Sequence, residues 1–192
     1  MINSDIPVYL ASKSPRRKKL LEQLNLKFKT LSVECEEKII KGEKPSSVVK
    51  RLSLEKLESA IAKIQNGIII TADTIVVIDG KIIGKPINKK DAALILLRLS
   101  GRTHKVYTGF SIYNSRTKNV LTDYEKTLVT FRKLNNKEIQ EYINQGSPMD
   151  KAGAYGIQDD YGAVFVSKIN GCYNNVVGLP LTKLYANLLK IL

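Results

Sequence analysis

The apolar residues of this chain change their spacing several times, and each change marks an element. The run "VYLA" has the length of a short buried strand. After it, "SPRRKKLLEQL" offers Ser14 as N-cap and Pro15 at the first helical position, which predicts a tight strand-to-helix turn. "FKTLSV" reads as a second strand. In "PSSVVKRLSLEKLESAIAKI", Val48, Val49, Leu52, Leu57, Ala60, Ile61 and Ile64 fall on one broad face, the strongest helical pattern in the chain. "GIIITADTIVVIDGKIIGKP" then supplies two apolar strand-like runs with a hairpin turn predicted at Asp79-Gly80.

A helix follows in "NKKDAALILLRLSG", opened by Asn88 with Asp91 three residues on and closed before Gly101. "HKVYTGFSIYN" and "VLTDYEKTLVTF" predict two strands joined by the polar turn "SRTKN". "NKEIQEYINQG" predicts a helix, "SPMDKAGAYGIQDDYG" a glycine-rich loop, "AVFVSKI" a strand, and the residues after Pro180 a closing helix. Helices interspersed with strands, antiparallel pairs included, describe an α/β fold with a central twisted mixed sheet flanked by helices. No linker or repeat interrupts it, so residues 1–192 are expected to form a single domain.

Composition narrows the classes of function. The formal net charge is +13, which favours an anionic partner. Most of the cations are lysines scattered through nearly every segment, whereas a nucleic-acid surface concentrates basic residues in a stripe with aromatics between them. Cys35 and Cys172 stand far apart in no metal-ligand pattern, consistent with a reduced, cytoplasmic protein. No stretch approaches the roughly 18 apolar residues of a membrane span, so no membrane partner is expected.

Several residues are left unexplained by local structure. Lys56 interrupts the apolar face of its helix; its methylenes can pack while the amine reaches water, or the face borders a cleft and the amine meets an anion. Asp73 interrupts the apolar run "IIITADTIVVI" and is costly there unless it is paired, hydrogen-bonded or metal-bound. It suits a general base or a metal ligand, with an aspartate at a strand end or bulge bonding to backbone as the alternative. Arg16 and Arg17 occupy a first helical turn, where the macrodipole disfavours cations. An oxyanion bound by the free N–H groups, Ser12, Ser14 and the two guanidiniums would reverse that mismatch. In "DKAGAYGIQ", Gly153 and Gly156 allow close backbone approach, and the amide of Gln158 can pair with a base edge. His104, the only histidine, reads as a strand residue rather than a catalytic one.

These segments in order resemble the Maf family of nucleoside-triphosphate pyrophosphatases: "LASKSPRRKKLL", "RLSLEK", "ADT", "GKP", "LSGRTHKVYTG", "DKAGAYGIQ" and "INGCYNNVVGLPL". The likeness runs along essentially the whole chain. It implies an elongated α/β domain similar to that of the inosine-triphosphate pyrophosphatases. It also implies hydrolysis of a nucleoside triphosphate to the monophosphate and pyrophosphate with Mg²⁺ or Mn²⁺, in a cytoplasmic house-cleaning enzyme that is commonly a homodimer.

By the same resemblance Asp73 is the proton-accepting residue. Ser12, Arg16, Arg17, Lys56 and Lys85 contact phosphates, and Arg16, Thr74 and Gln158 set specificity. Asp73 is a candidate metal ligand, and the acidic stretch "VECEEK" offers Glu34, Glu36 or Glu37, of which Glu37 is taken. The form of "DKAGAYGIQ" is similar to the branch acting on dTTP and UTP. Two other classes stay open: a nucleic-acid-binding or division-regulating protein without turnover, and a pyrophosphatase of inosine or xanthosine triphosphate.

Overall fold

A strand buried on both faces needs cover from each side, and Ile68–Ile78 is such a strand: every residue but Thr74 is buried. The computed structural model describes residues 4–145, 148–158 and 161–192. Among them the order is β1 (Val8–Ala11), α1 (Pro15–Glu22), β2 (Lys29–Leu31), α2 (Pro45–Ile61), β3 (Ile68–Ile78), β4 (Lys81–Ile83), α3 (Lys89–Leu99), β5 (Thr103–Asn114) and β6 (Val120–Phe131). There follow α4 (Asn136–Gln145), β7 (Val166–Asn170), α5 (Tyr173–Val177) and α6 (Leu181–Ile191), with short 3-10 turns at Pro148–Asp150, Ala152–Ala154 and Tyr161–Phe165.

The seven strands form one sheet in the order β2-β1-β3-β5-β6-β7, with β4 paired to β3 off that path. It is mixed: β1 runs parallel to β2 and β3, while the β3/β4 and β6/β7 pairs are antiparallel. The expected α/β class with a mixed sheet and helices is therefore what the chain adopts. Backbone contacts divide the residues into two compact units. One contains the chain up to Asp73, Thr108–Glu125 and Gly178–Leu192; the other contains Thr74–Tyr107 and Lys126–Val177.

In the first unit the apolar face of α2 buries Leu57 and Ala60 with Ala11, Ile69 and Tyr113, and Leu31, Leu54, Ile61 and Ile64 close the edges. The helix comes to rest on strand backbone because Gly109 leaves room. A Cβ there would lie 2.3 Å from the Val49 carbonyl oxygen. Buried polar groups then fix the register. Thr71 donates its hydroxyl to the Ser53 carbonyl at 2.7 Å, and the Ser53 and Ser111 hydroxyls share a hydrogen bond at 2.9 Å. Each would be costly to bury unmatched, so the pairing selects one seating of α2.

In the second unit the predicted hairpin forms at Asp79 and Gly80, with φ of 52° and 71°, the left-handed pair that a two-residue turn of this twist requires. Helix α3 opens on a reciprocal cap: Asn88 Oδ1 accepts from the Asp91 N–H at 2.8 Å, and Asp91 Oδ2 accepts from the N–H of Ile87, just before the N-cap, at 3.0 Å. Phe131, Tyr142, Tyr155 and Phe165 are buried in a continuous set of edge-to-face and tilted ring contacts.

Two local expectations are corrected. "AVFVSKI" becomes strand only from Val166, because Tyr161–Phe165 wind into a 3-10 turn that drives Phe165 into the ring cluster. "CYNNVV" holds the unanticipated α5. Thr127 Oγ1 donates to the Cys172 carbonyl, accepts the Cys172 N–H and receives the Asn175 amide, so a strand side chain organises the start of this helix. Five residues are too few to show a helical period. Of "SPMDKAGAYGIQDDYG", Gly146, Ser147, Asp159 and Asp160 lie outside the described residues.

Candidate active site

The register of α2 on β3 decides where the site's charges meet. Residues i and i+3 share a helix face, and residues i and i+2 share a strand face. Once Ser53 is bonded to Thr71, Lys56 and Asp73 are therefore carried to the same spot. The Lys56 ammonium donates to Asp73 Oδ1 and, at 2.9 Å, to Glu37 Oε1. Asp73 lies mid-strand and is only 5% exposed, so the strand-end reading of this residue does not hold. The Lys56 side chain is 13% exposed and its amine turns to the two carboxylates rather than to bulk water. The pairing removes the main cost of burying Asp73 in an apolar strand.

Glu37 reaches this point from a segment without regular structure, and α2 holds that segment. Arg51 forks onto the Glu43 carboxylate at 2.7–3.2 Å, donates to the Lys38 carbonyl at 2.9 Å and pairs with Glu55 at 2.9 Å. The planar guanidinium satisfies several directions at once, which a lysine at this position could not do. Burial pushes the Cys35 thiol up, with the Glu55 carboxylate beside it acting in the same direction, so Cys35 is a protonated neighbour rather than a nucleophile. Glu34 pairs with Lys13 instead, at 3.2 Å.

The turn after β1 folds a further cation inward in the first unit. Ser14 caps α1 by accepting the Arg17 N–H at 3.4 Å, and Ser12 Oγ accepts the Ser14 N–H at 3.2 Å. The Arg17 side chain folds inward: Nε donates to the Gly178 carbonyl at 2.8 Å and Nη1 to Ser12 Oγ at 3.4 Å. Burial lowers the Arg17 guanidinium below its ordinary value, opposed by the charges of Asp73 and Glu37 and reinforced by that of Arg16. It remains a cation, since arginine keeps its proton in proteins. Arg16, half-buried, stands in the same first turn.

Ser12, Arg16, Arg17, Glu37, Lys56 and Asp73 thus all fall in the first unit, and the last three are joined by direct contacts. Thr74, Lys85 and Gln158 fall in the second. Thr74 follows Asp73 on β3 and is half-buried, Lys85 is exposed beyond β4, and Gln158 is half-buried. Within that unit the Gly153 N–H donates to the Gly84 carbonyl at 3.2 Å, which ties the "GKP" turn to the "DKAGAYGIQ" loop.

Sequence reasoning missed the Gly178 carbonyl and the Arg51 clamp. The clamp left a faint signal in the Arg51/Glu55 spacing; the carbonyl left none, because any residue supplies one.

The donor set suits a hard cation: Asp73 and Glu37 offer only oxygen and already converge on one positive charge. Among the described residues no group of three or more His, Cys, Asp or Glu is placed to hold a metal. Two oxygen-only carboxylates are the kind of donor set that suits an ion such as Mg²⁺, which takes one or two protein ligands and completes its shell from water and phosphate oxygens. Among the described residues no helix is long and apolar enough to cross a membrane.

Known proteins align with this chain nearly end to end. A protein described as the dTTP/UTP pyrophosphatase of Chlorobium phaeovibrioides is 46% identical over 189 residues, covering 96% of this chain and 97% of its own. Those so described from Clostridium perfringens and Dictyoglomus thermophilum are each 48% identical, covering 93% and 92% of both chains respectively. The family model for the Maf-like proteins matches residues 7–191. The chain belongs to the Maf family.

Proposed function

We infer that this protein hydrolyses dTTP and UTP, cleaving the bond between the α-phosphorus and the bridging oxygen to give the nucleoside monophosphate and pyrophosphate. The observation that carries the reading is the identity of nearly half the residues, over more than nine-tenths of both chains, to proteins named for that activity. The geometry supplies chemistry to match. Asp73 holds the attacking water and takes its proton as the new bond to phosphorus forms. Lys56 fixes the carboxylate's orientation and is itself one of the phosphate contacts. Arg17, preorganised by Ser12 and Gly178, and Arg16 beside it meet the negative charge that builds on the departing pyrophosphate, with Lys85 as a further phosphate contact.

Arg16, Thr74 and Gln158 select the base. A divalent cation, Mg²⁺ or Mn²⁺, held by Glu37, and by Asp73 where that residue serves as ligand in place of base, would neutralise phosphate charge and polarise the reacting phosphoryl group. The reading takes the protein as a cytoplasmic homodimer that uses its positive field to collect nucleotides rather than nucleic acid.

Pyrophosphate release from dTTP, UTP, CTP, GTP, ITP and XTP, with Mg²⁺ and with chelator, is the test. Release from dTTP and UTP above the others, lost with chelator, is expected. Preference for ITP or XTP, or salt-sensitive oligonucleotide binding without release, overturns the reading.

A further inference from the structure

We propose that His104 and Tyr155 form a positioning anchor for the loop that ends at Gln158, so that His104 acts on base selection through Tyr155 without contacting substrate. The inference rests on the reading of this loop as the base-selecting one.

The loop is held in a conformation that its sequence does not favour. Gly153 and Ala154 take left-handed backbone conformations in succession, with φ of 75° and 61°. Glycine bears this freely, but alanine is strained there. Gly153 is also locked in place: a Cβ on it would stand 2.9 Å from Val76 Cγ2, and its N–H is bonded to the Gly84 carbonyl. A strained residue persists only where its surroundings over-determine it. The residue after Ala154 supplies that determination.

Tyr155 is 6% exposed, stands edge-on to Phe131 with ring centroids 4.7 Å apart, and meets His104 Nε2 with its hydroxyl at 2.8 Å. His104 is 1% exposed on β5 and crosses Phe131 edge-on at 5.1 Å. Its Nδ1 finds no partner among the described residues. The arrangement that strands fewest groups has the Tyr155 hydroxyl donating to Nε2 and Nδ1 carrying the ring proton. Burial lowers the imidazole to about 4, so the acceptor on Nε2 stays available throughout the neutral range. This accounts for the histidine of "SGRTHKVYTG": a buried ring must offer an acceptor at the far end of a flat, packable body.

The experiment compares Tyr155→Phe, His104→Ala and His104→Gln with the parent and with Gln158→Ala. It follows amide exchange across Ala152–Gln158 and kcat and KM for dTTP, UTP and GTP. In Tyr155→Phe, which keeps the ring and loses only the bond, exchange in the loop quickens about tenfold and KM for dTTP and UTP rises by a similar factor. Preference over GTP narrows, and kcat stays within about threefold. His104→Ala reproduces this, and His104→Gln, whose amide oxygen can accept from the hydroxyl, recovers most of it.

Unchanged loop exchange overturns the proposal. So does faster exchange with unaltered KM and preference, or an equal fall in kcat for every substrate. Gln158→Ala separates the two readings: unchanged base preference there, with a narrowed one in Tyr155→Phe, removes Gln158 as the reader and keeps the anchor. A parent that releases no pyrophosphate overturns the proposed function, and loop exchange then decides the anchor alone.

Discussion

The first unit places charges and the second places rings, and the two are built differently. Lys56, Asp73 and Glu37 are joined by directional, ionic contacts, and the backbone beneath was set by hydroxyls on Ser53, Thr71 and Ser111. Around Tyr155 a ring cluster does the positioning and a single hydrogen bond orients it. Loss of one carboxylate in the first still leaves Lys56 an ion-pair partner in the other. Loss of a ring in the second leaves a void. The first arrangement should therefore fail in chemistry before it fails in stability, and the second the other way round.

Asp73→Asn puts the sharpest strain on that contrast. It keeps the shape and leaves Lys56 paired with Glu37, so the thermal midpoint should shift little. Turnover of dTTP should fall by about a thousandfold or more, roughly 4 kcal/mol of barrier. Pyrophosphate release and a melting curve on one preparation check both halves, and turnover at the parent rate would remove Asp73 from the chemistry. Phe165→Ala is the mirror experiment. Opening a cavity beneath Phe131 and Tyr142 should cost about 3–4 kcal/mol of folding stability in a denaturant titration, while the folded fraction keeps kcat within a few-fold.

Acid sharpens the comparison within the second unit. His104 is lowered in the fold to about 4 from an ordinary 6.5, because burial disfavours its charged form. The unfolded chain therefore binds more protons between those values. The stability associated with the neutral ring is complete above pH 6.5, falls as the pH drops through this window, and is gone below about 4, a loss of about 3 kcal/mol. Tyr155, which faces His104, is pushed up by burial and does not titrate there. Melting midpoints from pH 7 to 4 should fall more steeply for the parent than for His104→Gln; parallel curves would remove the histidine from the acid response. The smallest effect is expected for Ser53→Ala, about 1 kcal/mol from the lost buried bond to Ser111. Because that bond seats α2, KM should rise with it, and a stability loss without a KM change would detach the hydroxyl ladder from the site.

Elements with a strong period or a capping chemistry were legible: β1 and α1 at Ser14-Pro15, α2 from its face, and the Asp79-Gly80 hairpin. So were Asp73 and Lys56, because each breaks an apolar pattern and a break in a pattern is visible. The Arg51 clamp showed only in its Arg51/Glu55 spacing, and the Gly178 carbonyl that receives Arg17 and the bond between His104 and Tyr155 did not show at all. Their partners lie 161 residues apart for Arg17 and Gly178 and 51 for His104 and Tyr155, and nothing local marks a backbone carbonyl or a buried ring as a partner. Helix α5 escaped for the related reason that Thr127, on another element, organises it.

By itself the sequence determined the alternation of helices and strands, the family, and the fact that an aspartate and a lysine stand where burial would penalise each alone. Only the tertiary structure decided that they pay for one another, because their meeting depends on how α2 seats against β3. That seating follows from Gly109 having no Cβ and from three buried hydroxyls that have to be matched. Local spacing fixes which face a residue takes, whereas the partner on that face is chosen by packing between elements distant in the chain.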